Sequence, residues 1–459
     1  MSPPATYRSG MPRDQHPAVA RWHTHLRDLA TAIHEISGLG DSLPGVLILS
    51  RGNKVEKMGS NSKNRIAILN NYERLSPRIS HELQALSRAG YSAEVYNWVG
   101  KKEDLCTISD QNNIRVHSIL LKRPKGKLRI IIYLPILYYK LLKQLQRRKV
   151  DIVHCTHLYL LPLALILRAL KKTRVVYDAY EMYASDFGAY IPRFSKYISK
   201  FTELVENVLA FKVDLILTVD SRKGFLEKRY QRFNSNVQVI YNVPNVNFEC
   251  NHKRIKAIKK SYQDRKVIVN MGRLTAEKGL IKLLQATKEI KRQYAEVLLL
   301  LVGDLWFARS AFEELLFTNG LQKNVEVKKW LPYNDMMHYL KCADVACALY
   351  QPTLQHYHLV SRGNGRKIFT YMQACLPIVA SDFGGIARVV TEERCGILVD
   401  STNHQRIADA ILYLFDNPDK ARMLGENGNR AIVEKYNWES EKKKLLRAYS
   451  TMAKVGNSM

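Results

Sequence analysis

One turn in the sequence combines a glycine with two cations at a spacing that suits phosphate binding. The segment NMGRLTAEKG, residues 270–279, follows an apolar run typical of a strand and precedes a helical pattern. Gly272 lets the backbone turn and leaves room for a ligand. Arg273 can bind phosphate oxygens as a bidentate fork, and Lys278 can act as a point charge beside the free N–H groups of the helix start. The turn predicts a diphosphate clamp, although a solvated turn with two surface cations would contain the same residues.

A second segment, GRKIFTYMQACLPIVASDFGG, predicts another wall of the same site. Its helical part carries Lys367, Thr370 and Tyr371, and Gly384 with Gly385 follows a strand where a phosphate or sugar edge can approach. Helix–strand packing explains the apolar residues, but it does not explain the polar face or the paired glycines. The loop before it adds residues that suit an anion, namely His356, His358, Arg362 and Arg366.

These segments belong to a regular alternation of strands and helices. From Asn64 onward, continuous apolar strands are separated by helical patterns, which indicates parallel sheets covered on both faces. The pattern restarts after residues 243–254, so we predict an α/β protein with two facing Rossmann-like, doubly wound domains. The predicted boundaries are an N-terminal extension 1–63, a first domain 64–245, a second domain 246–436, and a last helix 437–459 across their junction. Ligands of such sheets bind at the carboxyl ends of the strands.

Composition bounds the environment of the chain. A length of 459 residues suggests two or three domains. The formal net charge of +29 attracts anions without choosing among nucleic acid, acidic lipid and phosphorylated ligands. Seven cysteines without a CxxC spacing favour free thiols in a reducing compartment and argue against zinc. The longest apolar runs, 130–139 and 158–167, are too short to span a bilayer, and no secretory h-region opens the chain. We therefore expect a cytoplasmic protein.

The segment between Gln111 and Val150 has an unusual charge. It contains eleven basic residues and no Asp or Glu, together with the apolar run IIIYLPILYYKLL. Pro135 suits the first turn of a helix with cations toward its end. This pattern predicts an amphipathic surface for the inner face of an anionic membrane, with the protein bound peripherally. A core helix beside a solvated basic loop would have a similar sequence.

Taken together and in order, the motifs of the chain resemble a known family. The segments NMGRLTAEKG, LLLVGD, ADVACALY, LPIVASDFGG and CGILVD occur in the order found in family 4 of the retaining glycosyltransferases, which have the GT-B fold. The resemblance implies that Arg273 and Lys278 hold the diphosphate of a nucleotide sugar and act as the principal catalytic groups. It also implies that Gly303 approaches the nucleotide. Thr370 and Arg362 stand where the family has the two acids of its E-x7-E pattern, and Lys367 matches a subgroup that lacks the first acid.

The first domain shows weaker signs of the same family. Asp178 and Glu181 remain from its D-x-H-E stretch, and Arg78 could face the cleft from the first loop, which would place all three on the acceptor side. A capped strand–helix turn would explain the two acids equally well. The resemblance implies transfer with retention and without a metal, since no D-x-D occurs. It implies no cofactor beyond the donor substrate.

Four functions remain open from the sequence. The first is a glycosyltransferase that acts on a lipid-linked or surface-glycan acceptor. The second is a non-catalytic GT-B protein that binds or stabilises a partner transferase, because both acids of the E-x7-E pattern are replaced. Nucleic-acid binding has only the charge in its favour and lacks a binding motif. A nucleotide-sugar epimerase would need a carboxylate–histidine set that the sequence does not place.

Overall fold

The computed structural model describes residues 63–71, 75–101, 115–122, 127–179, 181, 183–188, 192–219, 225–246, 248, 250–263, 265–352 and 366–455. The extension before residue 63 lies outside the described residues. So do the loop residues His356, His358 and Arg362, while Arg366 is described only in its backbone.

The first of two parallel sheets contains seven strands. They are β1 (Lys63–Asn70), β2 (Tyr91–Val99), β3 (Arg115–Leu120), β4 (Ile152–Cys155), β5 (Arg174–Ala179), β6 (Leu215–Thr218) and β7 (Val237–Val239). Their order is β3-β2-β1-β4-β5-β6-β7, with every neighbour parallel. Its helices are α1 (Pro77–Arg88), α2 (Lys127–Gln146), α3 (Leu161–Lys171), α4 (Tyr183–Gly188), α5 (Ser195–Phe211) and α6 (Phe225–Gln231).

The second sheet contains six parallel strands. They are β8 (Val267–Met271), β9 (Leu298–Val302), β10 (Val325–Lys328), β11 (Val345–Ala348), β12 (Ile378–Ser381) and β13 (Gly396–Val399), in the order β10-β9-β8-β11-β12-β13. Its helices are α7 (His252–Tyr262), α8 (Leu280–Ile290), α9 (Arg309–Thr318), α10 (Tyr333–Leu340), α11 (Arg366–Gln373), α12 (Gly384–Glu393), α13 (His404–Asp416) and α14 (Pro418–Glu434). The predicted pair of Rossmann-like sheets is confirmed.

Both sheets cover their faces with helices, as a sheet of continuous apolar strands requires. On one face of the first sheet, α2, α3 and α5 cover a core that contains Leu141, Leu161 and Ala210. The other face packs against α1 and against the last helix, α15 (Trp438–Val455). The main chain N–H of Trp438 donates to the carbonyl of Pro244 at 3.2 Å, so the chain returns to the first sheet at its end. The exact domain boundaries stay a prediction.

Two edge strands and the start of one helix differ from expectation. The sequence pattern did not predict β3 and β7, which are short edge strands with mostly half-buried side chains. The prediction that Pro135 opens its helix is wrong, because α2 begins at Lys127 and carries Pro135 inside it. A proline there removes one helical hydrogen bond. Three leucines farther along α2, Leu137, Leu141 and Leu145, are buried and share one face of the helix.

Candidate functional site

Two glycines form the floor of the candidate site at the centre of the second sheet. The chain reverses its winding between β8 and β11, and this switch point is where open α/β sheets bind ligands. Gly303 follows β9 with a φ of +137°, and a Cβ there would lie 2.1 Å from the carbonyl oxygen of Gly272. Gly272 itself has a φ of +98°, and the nearest atom to a Cβ there is Cε of Lys367 at 3.9 Å. The backbone at Gly303 is therefore packed tightly against Gly272, whereas the space beside Gly272 is open to a ligand.

The predicted cations stand on the loop that follows Gly272. The hydroxyl of Thr275 accepts a hydrogen bond from the main chain N–H of Lys278 at 3.2 Å and caps a 3₁₀ turn, Ala276–Lys278. Arg273 is exposed, and its guanidinium carbon lies 5.0 Å from the ring centre of Trp306. Contact with an indole holds a guanidinium in place while its N–H groups stay available. Trp306, on the loop after β9, was not predicted, although its position just after the LVGD motif could have indicated it.

Lys367 brings a third cation to this loop from α11. Its side chain is buried, and Nζ donates a hydrogen bond of 2.8 Å to Oδ1 of Asn270 on β8. Burial, and next the charge of Lys278, lower the pKa of Lys367 to about 7. Burial and the charge of Arg273 also lower the pKa of Lys278, against a smaller opposing effect of Glu277. Three cations thus crowd one edge of the sheet and destabilise one another's charge, an arrangement that a bound polyanion would relieve.

The other two predicted residues of α11 are buried beside Lys367. Thr370 lies one turn away and is largely shielded from solvent. The hydroxyl of Tyr371 accepts from the main chain N–H of Met271 at 2.8 Å and donates to the carbonyl of Cys347 at 3.1 Å. The structure thereby corrects the prediction that Tyr371 contacts the donor, since both hydrogen bonds join α11 to β8 and β11. Tyr371 is a positioning residue that fixes the helix carrying Lys367.

The paired glycines open a helix at the same edge of the sheet. Gly384 is exposed with a φ of +71°, Gly385 is buried behind it, and α12 begins there without a side-chain cap from Phe383. The first N–H groups of a helix are a ready site for an anion. Strand β12 lies two strands from β8, which corresponds to roughly 10 Å. The glycines and the cations therefore lie within reach of one elongated ligand.

The residues predicted on the acceptor side of the first domain form a buried charge cluster instead. Arg78, at the start of α1, donates to both carboxylate oxygens of Asp178 on β5, at 2.9 and 2.8 Å, and to the carbonyl of Ile240 at 2.8 Å. Nε of Arg78 also lies 3.1 Å from Glu82. Arg78 is only 4% exposed and Asp178 is not exposed at all. The prediction that these two residues line the cleft is therefore wrong, whereas Glu181 lies half-buried after β5.

His154 and Tyr449 complete this cluster. Nδ1 of His154 lies 2.6 Å from the hydroxyl of Tyr449 on α15, and its Nε2 lies 3.8 Å from Glu82 and 3.9 Å from Asp178. Glu82, His154 and Asp178 could together hold a metal ion by their spacing. The guanidinium of Arg78 already lies against both carboxylates, however, so a cation of the protein occupies the place of an ion. The cluster is a structural network.

Protonation of Glu82 should make stability depend on pH. Burial, and next Asp178, raise the pKa of Glu82 to about 7. The folded protein holds this proton to a higher pH than the unfolded chain does, so this carboxyl makes the free energy of unfolding decrease as the pH rises from about 4.5 to about 7. The amide of Glu82→Gln does not titrate. We expect urea unfolding to show that the variant gains about 1–3 kcal/mol relative to the wild type between about pH 5 and about pH 8. Equal pH dependence of the two proteins would contradict the assignment.

Comparison with known proteins finds similarity to a known family within the second domain. Residues 251–431 match the family model of the glycosyl transferases group 1. An uncharacterized glycosyltransferase of Methanocaldococcus jannaschii is 25% identical over 266 residues, which are 55% of this chain and 63% of that protein. The GDP-mannose-dependent alpha-(1-6)-phosphatidylinositol monomannoside mannosyltransferase of Mycolicibacterium smegmatis is 24% identical over 40% of this chain and 47% of that protein. The matches thus span between about half and just under two thirds of these relatives.

A solved structure extends the similarity to the first domain. Anabaena HepE in complex with UDP-glucose superposes with a TM-score of 0.66 at 16% identity, over 85% of this chain and all of that one. At this identity the likeness concerns the fold, and the predicted GT-B fold is confirmed. No helix in the described part of the chain has the length and apolarity needed to cross a bilayer.

Proposed function

We propose that this chain, whose residues 251–431 match the family model of the glycosyl transferases group 1, transfers a sugar from a nucleotide-sugar donor to a glycan or lipid-linked acceptor. One observation carries the proposal. Arg273, Lys278 and Lys367 converge at the switch point of the second sheet, beside two glycines that leave the backbone open. A diphosphate supplies the negative charge that this arrangement calls for. The names of two similar proteins, one bound to UDP-glucose and one dependent on GDP-mannose, support the same class of donor.

We further propose that the transfer retains the configuration of the sugar. An oxygen of the donor diphosphate can accept the proton of the attacking hydroxyl on the face that the leaving group occupies. The protein must then neutralise the departing diphosphate and hold both substrates in place. Arg273 and Lys278 would act on the phosphate oxygens, and the N–H groups of Gly384 and Gly385 would bind the far end of the donor. We propose that these cations make a divalent metal unnecessary.

The basic segment 111–150 supports peripheral binding to an anionic membrane on the cytoplasmic side. Its cations Lys122, Lys143, Arg147 and Lys149 are exposed, whereas Arg148 lies 2.8 Å from Glu94. The apolar face of α2 packs into the core, so this segment would attract acidic headgroups chiefly by charge. A lipid-phosphate acceptor would account for such a surface. The mannosyltransferase of M. smegmatis is named for a phosphatidylinositol-linked acceptor.

Donor binding can be tested by thermal shift with UDP-, GDP- and ADP-sugars. We expect one nucleotide class to raise the melting temperature of the wild type and to leave Arg273→Ala unchanged at the same concentration, because a bidentate, charge-assisted contact is lost. Arg309→Ala is a matched control, since Arg309 is an exposed arginine of the same domain that pairs with Glu313. An equal shift in Arg273→Ala would show that the phosphate site lies elsewhere.

A non-catalytic role is the second candidate, and Thr370 favours it. This residue stands where the family has a carboxylate, and a hydroxyl binds a ribose less strongly than a carboxylate does. Transfer assays with the donor identified by thermal shift separate the two functions. Donor binding without hydrolysis or transfer to any acceptor, together with stable association with a partner transferase, would favour the second.

A further inference from the structure

Helix α5 exposes its largest apolar side chains to solvent, whereas a helix of a folded domain usually buries them against the core. Its inner face is anchored by polar contacts to Glu206, which is fully shielded. Oε1 of Glu206 accepts hydrogen bonds from Tyr177 at 2.8 Å and Tyr230 at 2.7 Å, and Oε2 accepts one from Arg229 at 2.9 Å. The outer face carries six large apolar residues that are each more than half exposed: Phe194, Tyr197, Phe201, Leu204, Val208 and Phe211.

The spacing of these six residues makes one continuous stripe. They recur at alternating intervals of three and four, so they lie in one line along α5 and the residue before it. Tyr197 is 74% exposed and Phe201 is 68% exposed, which excludes a share in the core. The adjacent helix α3 adds Ile166 and Leu170 on the same side of the sheet, at 39% and 62% exposure. Exposed apolar patches of this extent mark an interaction surface.

The charges around the stripe indicate what covers it. Arg193, Lys196, Lys200 and Lys212 are all exposed along the same 20-residue stretch, 193–212. The stretch contains two acids, of which Glu206 is buried and Glu203 lies 3.4 Å from Arg229. The surface therefore combines aromatic and aliphatic side chains with cations, while both acids of the stretch pair with Arg229. An anionic lipid surface complements both features.

A second copy of the chain would match the stripe by spacing but not by charge. Intervals of three and four also describe the seam of a coiled coil. In a seam formed by the stripe, Lys200 would face an uncharged residue of the other copy, which is Val205 in a parallel pair and Asn207 in an antiparallel pair that sets Phe201 against Leu204. A second copy therefore leaves this cation without an acidic partner, whereas an anionic lipid supplies one.

We propose that the stripe on α5 inserts among the headgroups and upper acyl chains of an anionic bilayer and is the element that anchors this protein to the membrane. The inference extends the proposed function, which places the acceptor at such a surface, and it assigns the apolar contact to α5 instead of segment 111–150. Basic residues of that segment lie on α2, which covers the same face of the sheet. They would add charge attraction around the inserted side chains.

Flotation of the full chain with vesicles tests the assignment. We expect binding to vesicles of phosphatidylcholine with phosphatidylglycerol and weak binding to phosphatidylcholine alone. The double variant Phe201→Ser, Leu204→Ser should bind the anionic vesicles about tenfold more weakly or worse. The matched control is Phe317→Ser, which removes an aromatic ring that is 74% exposed on α9 of the other domain, and it should bind as the wild type does.

Further variants make each contrary result decisive. Unchanged binding in the double variant, or its loss only in Lys143→Gln, Arg147→Gln, would overturn the assignment to α5. If the wild type does not bind vesicles but forms a dimer, and the double variant is a monomer, the stripe is a seam between two copies. The nucleotide-sugar thermal shift of each variant should equal that of the wild type, which verifies folding. A wild type that binds vesicles but no nucleotide sugar would contradict the proposed function and leave the membrane anchor standing.

Discussion

Replacing Arg78 with leucine is expected to lower the free energy of unfolding by about 3–5 kcal/mol. The guanidinium is the cation that compensates two buried carboxylates, Asp178 and Glu82, and it also satisfies the carbonyl of Ile240. Leucine would fill much of the space but leave Asp178 buried without its partner. The loss of a buried partner costs far more than an intact pair contributes. Urea denaturation monitored by circular dichroism measures the effect.

Two further variants make this prediction specific. Arg88→Leu changes the last residue of the same helix at an exposed position, and its effect should stay within about 0.5 kcal/mol. Asp178→Asn added to Arg78→Leu should recover part of the stability, because it removes the unpaired charge. Donor-induced thermal shifts should persist in all folded variants. If Arg78→Leu were as stable as the wild type and had lost only the use of the acceptor, Arg78 would line the cleft after all.

The misplacement of Arg78 shows what the sequence pattern could not decide. Arg78 follows a strand and opens a helix, which is where ligand-binding residues of α/β proteins stand. Its partner Asp178 is 100 residues away, and only the pairing of β1 with β4 and of β4 with β5 brings the two together. From the sequence, Arg78 at the start of α1 and Asp178 near the end of β5 are therefore equally compatible with a cleft and with a buried pair.

The strands were predictable where they are buried on both faces. β1 and β8 contain continuous apolar runs, 66–69 and 267–269, which is the pattern that indicated parallel sheets in the sequence. β3 and β7 lie at the edges of the first sheet, so their side chains need not be apolar and carry no clear pattern. Helix α5 was not predicted, for a related reason. Apolar residues at helical spacing usually face the core, whereas those of α5 face solvent.

The candidate donor site was partly predictable from the sequence. Gly272, Arg273 and Gly303 follow strand ends within two residues, so their place at the sheet edge follows from the order of the elements. Lys278 lies farther along the loop after β8. The environment of Lys367 did not follow in this way. Asn270, which accepts its hydrogen bond, is 97 residues away, and the nearby charge of Lys278 depends on how the loop after β8 folds. Burial and charge crowding are properties of the assembled site.

The affinity for the nucleotide-sugar donor should decrease as the pH rises above about 7, and Lys367 is the cause. In the free protein, burial and Lys278 lower the pKa of Lys367 to about 7. A bound diphosphate favours the charged ammonium and raises that pKa. Between the two pKa values, binding takes up one proton, so the affinity falls by up to about tenfold for each pH unit. Below the lower value, Lys367 is charged in both states and the affinity is constant.

Isothermal titration calorimetry in buffers of different ionisation enthalpy measures this proton uptake directly. At about pH 8, we expect close to one proton to be taken up for each donor bound, since Lys367 is then mostly neutral in the free protein. Lys367→Met should lose most of this uptake and should bind the donor with an affinity that changes little with pH. Lys328→Met is the matched control, because the Lys328 side chain pairs with Glu326 at 2.5 Å and its pKa is raised.

A contrary result would reassign the buried lysine. If Lys367 serves only to tie α11 to Asn270, donor binding will not change its charge, and the calorimetric signal will be independent of the buffer. Any uptake that persists in Lys367→Met would instead report Lys278, whose pKa is also lowered by burial and by Arg273. The two lysines can be separated because Lys367 is already mostly neutral in the free protein above about pH 7, so Lys367→Met leaves the charges around Lys278 largely unchanged there. If the proton uptake on donor binding is lost in Lys367→Met and kept in Lys328→Met, Lys367 is in electrostatic contact with the donor diphosphate.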